Sequence, residues 1–122
     1  MKLPTLLAAA ALTLAPSTAS AWRVYLYSFT DFSGATYTAA GPGNPGSACH
    51  TIPSEHRYQA NSIEYYAYNS QSNPSTRCKI QLFETTDCSG NQGPFYSVDT
   101  KKALVEDWRN RAASYKTECW SV

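Results

Sequence analysis

The sequence predicts an all-β sandwich built from one supersecondary unit used twice, and three observations carry that expectation. Tyr27-Ser28-Phe29-Thr30-Asp31-Phe32-Ser33-Gly34 returns fifty-six positions later as Phe83-Glu84-Thr85-Thr86-Asp87-Cys88-Ser89-Gly90, keeping an aromatic, Thr, Asp, Ser and Gly in place. Ala60-Asn61-Ser62-Ile63 returns fifty-two positions later as Ala112-Ala113-Ser114-Tyr115. Two anchors in one order at nearly one spacing mark a repeat. Short alternating stretches between turn residues, with no long helix, place the repeats in sheet.

Residues 1–21 read as a secretory signal peptide: Lys2 supplies the positive start, Leu6 to Leu14 an apolar run, and Ala19-Ser20-Ala21 a small-x-small cleavage site. That run is too short to span a bilayer, and no later stretch is apolar enough to do so. Residues 22–122 then form one small domain, just large enough for a single core. Without Lys2 that domain carries nine basic and nine acidic side chains, so its net charge is zero. With no basic stripe, nucleic acid and anionic lipid are excluded as expected partners. Its four cysteines, Cys49, Cys78, Cys88 and Cys119, are an even set in a small exported chain and imply two disulfides.

From Trp22 the chain alternates, with Val24 and Leu26 on one side and Tyr25 and Tyr27 on the other, as a half-buried strand does. Thr30 to Gly34 turns it, Gly34 taking a backbone angle that a Cβ resists. Ala35 to Ala40 reads as the returning strand, and Gly41-Pro42-Gly43-Asn44-Pro45-Gly46-Ser47 as a loop. Cys49 to Ile52 is a short third strand, ended by Pro53. Ser62 to Tyr68 alternates again, Ile63, Tyr65 and Ala67 against Glu64, Tyr66 and Tyr68. The polar stretch 69–76 is the expected linker between motif A (22–68) and motif B (77–122). The second copy follows the same plan: Lys79 to Phe83, a turn at Asp87 to Gly90, Pro94 to Val98, and a last strand Ser114 to Trp120. The Ala-Leu-Val-Glu composition of Lys101 to Trp108 predicts one or two helical turns there.

These residues carry a resemblance. An aromatic, four residues, Phe, one residue and Gly, met in full by Tyr27, Phe32 and Gly34, resembles the hairpin signature of the βγ-crystallin Greek key. Phe83 and Gly90 repeat it with Cys88 in place of the central aromatic, and Ser62 and Ser114 stand where the family keeps a serine that ties the last strand to the folded hairpin. The chain looks most like the small secreted single-domain members found in microbes, fungi among them. The resemblance implies two Greek keys packed as a wedge-shaped sandwich, each motif lending its third strand to the other's sheet. It also sets the first and last strands of a motif side by side. Cys78 aligns with Trp22 and Cys119 with Ala67, so of three possible connectivities it favours Cys78–Cys119 with Cys49–Cys88.

Microbial members of this family bind calcium through an acidic or amide pair, two variable residues and Ser/Thr-Ser before the last strand. Here those positions read Arg57-Tyr58-Gln59-Ala60-Asn61-Ser62 and Arg109-Asn110-Arg111-Ala112-Ala113-Ser114. Each has lost its leading acid and its penultimate hydroxyl and gained an arginine, so degenerate calcium sites and no cofactor or metal are expected. No zinc motif accompanies the cysteines. No catalytic residue is expected either: His50 and His56 read as surface histidines without a nucleophile motif, and adjacent Glu106 and Asp107 point apart. Asn73 is followed by proline, which removes the one glycosylation acceptor.

What remains is a surface. Tyr25, Tyr66 and Tyr68 face outward on neighbouring strands, and the hairpin does not require them. Grouped tyrosines suit a polysaccharide or a protein partner, since the ring is apolar while the hydroxyl is wet; their strand propensity alone is the plainer explanation. The expected function is a secreted, non-enzymatic binding or effector protein whose ligand is an extracellular polysaccharide or protein. The alternatives, drawn from the same resemblance, are a killer-toxin-like antimicrobial protein, a protease inhibitor acting through loop 41–47 or 69–76, and a calcium-binding structural protein. Shared fold alone does not decide among them.

Overall fold

The computed structural model describes residues 20–67 and 76–122, and the statements below concern those residues. The leader up to residue 19, Tyr68 and linker residues 69–75 lie outside them. In order come β1 (Trp22–Tyr27), β2 (Thr36–Gly41), β3 (Gly46–Thr51), β4 (Ser62–Tyr66), β5 (Thr76–Phe83), β6 (Gln92–Tyr96), β7 (Thr100–Ala103), a 3-10 turn (Glu106–Trp108) and β8 (Ser114–Ser121). They form two four-stranded antiparallel sheets, ordered β2-β1-β4-β7 and β3-β8-β5-β6. β3 of the first motif thus completes the second motif's sheet, and β7 of the second completes the first's.

The hairpin repeat acts the same way in both halves. Phe32 and Cys88 stand at φ 63° and 59°, Gly34 and Gly90 at φ 86° and 73°. A Cβ on Gly34 would lie 2.3 Å from Ser28 Oγ, so that turn needs glycine for space as well as for its backbone angle. The folded hairpin is then tied down by the buried serines: Ser62 Oγ donates to Phe29 O at 2.6 Å and Ser114 Oγ to Thr85 O at 2.5 Å. Backbone bonds repeat as well, Asn61 N–H to Tyr27 O and Ala113 N–H to Phe83 O, both at 2.8 Å. Tyr58 N–H donates to Ala112 O while Asn110 N–H donates to Ala60 O, a reciprocal pair that crosses between the motifs.

Neither motif can cover its own apolar face, so the two close on each other. Val24 and Ile80, Leu26 and Leu82, Ile52 and Leu104, and Ile63 and Tyr115 are matched residues, and all are buried. The disulfides are Cys49–Cys88 and Cys78–Cys119. Cys78 and Cys119 are directly paired across β5 and β8, with Cα atoms 4.0 Å apart.

Several expectations change. Lys101 to Trp108 is not one or two helical turns: Thr100–Ala103 is strand, and only Glu106–Trp108 is helical. The ladder to β4 satisfies the backbone of 100–103 and outweighs a weak helical preference. Gly46 and Ser47 belong to β3 rather than the loop, because they pair with Cys119 and Glu118. Thr76 opens β5 rather than closing the linker. Ala21, the last residue of the expected leader, is fully buried and donates its N–H to Gly41 O at 2.7 Å. His50 is not a surface histidine: it lies on β3, stacked 4.8 Å from the Tyr115 ring and hydrogen-bonded to Thr117 Oγ1 at 2.9 Å.

Candidate functional site

β1 and β4 set the outward tyrosines in one lattice, because their register places Tyr25 opposite Glu64 and Arg23 opposite Tyr66. The Tyr25 and Tyr27 rings are parallel within 8°, with centroids 6.3 Å apart. Tyr66 meets Tyr25 edge to face at 6.4 Å. Tyr27 meets Phe32 edge to face at 6.0 Å, so Tyr27 supports the folded hairpin as the sequence implies. The outward side chains are rigid for a physical reason: each is flanked by another ring or by a hydrogen-bonded neighbour.

Glu64 is the hub of this lattice. Tyr27 Oη donates to its Oε1 at 2.8 Å, and Tyr66 Oη donates to its Oε2. These bonds, that from Tyr66 first, hold the Glu64 carboxyl below its usual range. The same carboxylate pushes the Tyr66 phenol up to about 12, and burial followed by the Glu64 bond takes Tyr27 up to about 12. Lys101 on β7 stands opposite Glu64 on β4, with its Nζ 4.9 Å over the Phe32 ring. The ion pairs among the described residues are Lys79–Glu118 and Arg111–Glu84, so Glu64 is in neither.

Of the sequence-derived contact residues, Tyr25 and Tyr66 come together, Tyr66 exposed and Tyr25 half-buried, whereas Tyr68 lies outside the described residues. The hydroxyls of Tyr27 and Tyr66 both donate to Glu64, and the exposed Tyr66 leaves ring surface on this face. Sequence reasoning placed Glu64 outward but missed its role; its alternation with Tyr66 was the available signal. The opposite sheet's outer face differs in kind, carrying the Lys79–Glu118 pair at 3.4 Å, with Phe95 and Trp120 exposed.

The two stations where a calcium ion would sit hold cations of the chain's own. Arg57 Nε donates to Ile52 O at 3.0 Å and Arg109 Nε to Leu104 O at 3.1 Å, a matched pair. Arg111 pairs with Glu84 and lies over the Trp108 ring at 4.8 Å. Asn61 Nδ2 donates to Ser28 O at 2.6 Å and to Asn110 Oδ1 at 3.0 Å, which leaves Asn61 Oδ1 buried and unpartnered. Calcium takes six to eight oxygen ligands, and Asn61 Oδ1 is the one buried side-chain oxygen without a partner among the described residues. Among the described residues no group of three or more His, Cys, Asp or Glu stands together to hold a metal.

No family model matches the chain, and no curated protein matches it by sequence. Solved structures do match. A βγ-crystallin domain from Clostridium beijerinckii is 16% identical over 78% of this chain and 95% of its own, with a TM-score of 0.51. The chain has the βγ-crystallin fold. A double mutant of that Clostridium domain gives a TM-score of 0.52 at 16% identity, over 79% of this chain and 96% of that one. The βγ-crystallin domain of Abundant Perithecial Protein from Neurospora crassa, in its Ca2+-bound form, is 18% identical over 88% of this chain and 96% of its own, with a TM-score of 0.50. At such identities the likeness gives the βγ-crystallin fold and no more. No helix among the described residues is long and apolar enough to cross a membrane.

Proposed function

We propose that this chain is a secreted, non-enzymatic binding protein whose working surface is the outer face of β1 and β4 and whose ligand is an extracellular polysaccharide. The observation that carries the reading is the Tyr25–Tyr66 corner, braced by the Tyr66 hydrogen bond to Glu64. Sugar rings stack their C–H faces on aromatic surface, while Arg23, Lys101 and Glu64 supply donors and an acceptor for hydroxyls around it. The mixed charge of that rim suits a neutral polymer better than a strongly charged one. Two disulfides and the expected leader support export. The non-enzymatic reading is supported by the engagement of both histidines: His50 is paired with Thr117 and stacked on Tyr115, and His56 lies against the Tyr37 ring.

Co-sedimentation with insoluble chitin, β-1,3-glucan and cellulose tests the reading. Retention on at least one polymer, lost on Tyr66→Ala, is expected. No retention on any of them, or equal retention of the variant, rules it out.

A further inference from the structure

A cleft lies beside Trp22, on the inner side of the sheet whose outer face carries the tyrosine corner, and comparison of the two motifs shows what is missing from it. The cleft holds about 260 Å3 and is lined by Trp22, Ala48, His50, Thr117, Cys119 and the turn between β2 and β3. Thr117 stands fifty-two positions after Tyr65, the interval that relates β8 to β4 throughout the fold. In the other motif that station is filled: Tyr65 is fully buried, and its hydroxyl donates to Cys78 O at 2.6 Å. The fold therefore accommodates a phenol ring at this place in one half. In the other half it has a two-carbon hydroxyl side chain and an open space. Trp22, larger than its counterpart Cys78, takes up part of that space and still leaves the cleft.

The lining dictates the chemistry. It contains no Asp, Glu, Lys or Arg. Burial pushes His50 below its ordinary value, which keeps it neutral near pH 7. His50 Nε2 and Thr117 Oγ1 already satisfy each other, and the other polar side chains of the lining, Asn44 and Ser47, are exposed to solvent, which leaves little inward polarity for a sugar's many hydroxyls. A charged ligand would lose its hydration without compensation. An apolar cavity of about 150 Å3 is known to take a benzene ring, so this one is ample for a single ring and its substituent. We propose that this cleft binds a small, uncharged, single-ring aromatic of the phenol type, which takes the place that Tyr65 occupies in the other motif. Ala48 is exposed at the mouth, on the inner side of β3, and gives such a molecule its way in.

The test is an NMR titration of the secreted protein with phenol, against benzoate and benzylamine as charged counterparts. Saturable shifts at the Trp22 indole, the Ala48 methyl and the His50 ring are expected for phenol, with the charged rings bound at least about tenfold more weakly. Thr117→Tyr restores the missing ring and should abolish the shifts; should that variant not fold, Ala48→Leu closes the mouth from an exposed position and should weaken binding about tenfold. Tyr66→Ala, on the other face, should leave phenol binding unchanged. Absence of saturable shifts in the millimolar range, equal binding of the charged rings, or undiminished binding in the closing variants would overturn the proposal.

Discussion

Motif A and motif B share a backbone and differ in how they fill it, and the differences are concentrated at three stations. At the open end of the sandwich motif A places Trp22 and Ala67, where motif B places Cys78 and Cys119 and bonds them covalently. Beside the second strand of its hairpin, motif A sets the Tyr37 and His56 rings 5.8 Å apart. Motif B instead lays Trp108 on Gly93, where a Cβ would fall 2.8 Å from the indole. On the outside, motif A has tyrosines around one carboxylate and motif B has an ion pair flanked by exposed Phe95 and Trp120. Duplication fixes what the hairpin, the serine ties and the core need. It leaves the ends and the outer faces free to diverge, and those are where a binding function can be built.

The largest test of this contrast is at the open end. Replacing Cys78 and Cys119 by alanine should cost about 3–4 kcal/mol in urea unfolding, since the bridge closes a loop of some forty residues. A loss below about 1 kcal/mol would mean that packing already holds motif B without it. Next come the serine ties: Ser62→Ala and Ser114→Ala should each cost about 1–3 kcal/mol, because each strips a side-chain donor from a carbonyl of the folded hairpin. The loss at Ser114 is expected to be the larger, because its Oγ also accepts the Cys88 N–H at 3.0 Å, and a large loss at one site with none at the other would break the equivalence of the motifs.

Smaller effects follow from the arginines. Arg57→Ala and Arg109→Ala should each cost about 1–2 kcal/mol, and the melting temperature should be the same in calcium and in chelator. A rise in calcium would show that the guanidiniums have not replaced the ion. Titration of the phenols isolates the tyrosine face. Tyr27 and Tyr66 are raised to about 12 from an ordinary 10.0, so their contribution to stability is complete below pH 10 and is lost as pH rises through about 12. Glu64 is lowered, so its contribution is complete above the usual carboxylate range and is lost as pH falls through its folded value. Ultraviolet titration should therefore show Tyr27 and Tyr66 ionising late together with the buried Tyr65, Tyr96 and Tyr115, and in Glu64→Gln only Tyr66, and in part Tyr27, should move toward the ordinary value. Unchanged late ionisation of Tyr66 in that variant would remove Glu64 as its cause.

Much of this was legible in the chain because the controlling constraints are local. A turn that needs φ near 60–90° and room for no Cβ writes Gly34 and Gly90 into the sequence, and period-two burial writes Val24, Leu26, Ile80 and Leu82 beside them. Cross-strand matters were not local. Gly46 and Ser47 look like loop until β8 supplies their partners, and Thr100 to Ala103 looks helical until β4 does. Glu64 was visible as an outward residue, but its two phenol donors come from strand register and from its own strand two places on. The open cleft was invisible, because it arises from a threonine that differs from a tyrosine in the other half of the fold.

The most direct measurement of the central claim compares the two outer faces on the polysaccharide that retains the native protein. Tyr25→Ala/Tyr66→Ala should fail to sediment with it, while Phe95→Ala/Trp120→Ala sediments as the native protein does. Both variants should keep stability within about 1 kcal/mol, since these side chains are partly or largely exposed. Loss of binding confined to the Phe95/Trp120 variant, or equal loss in both, would contradict the assignment of function to the tyrosine face of motif A.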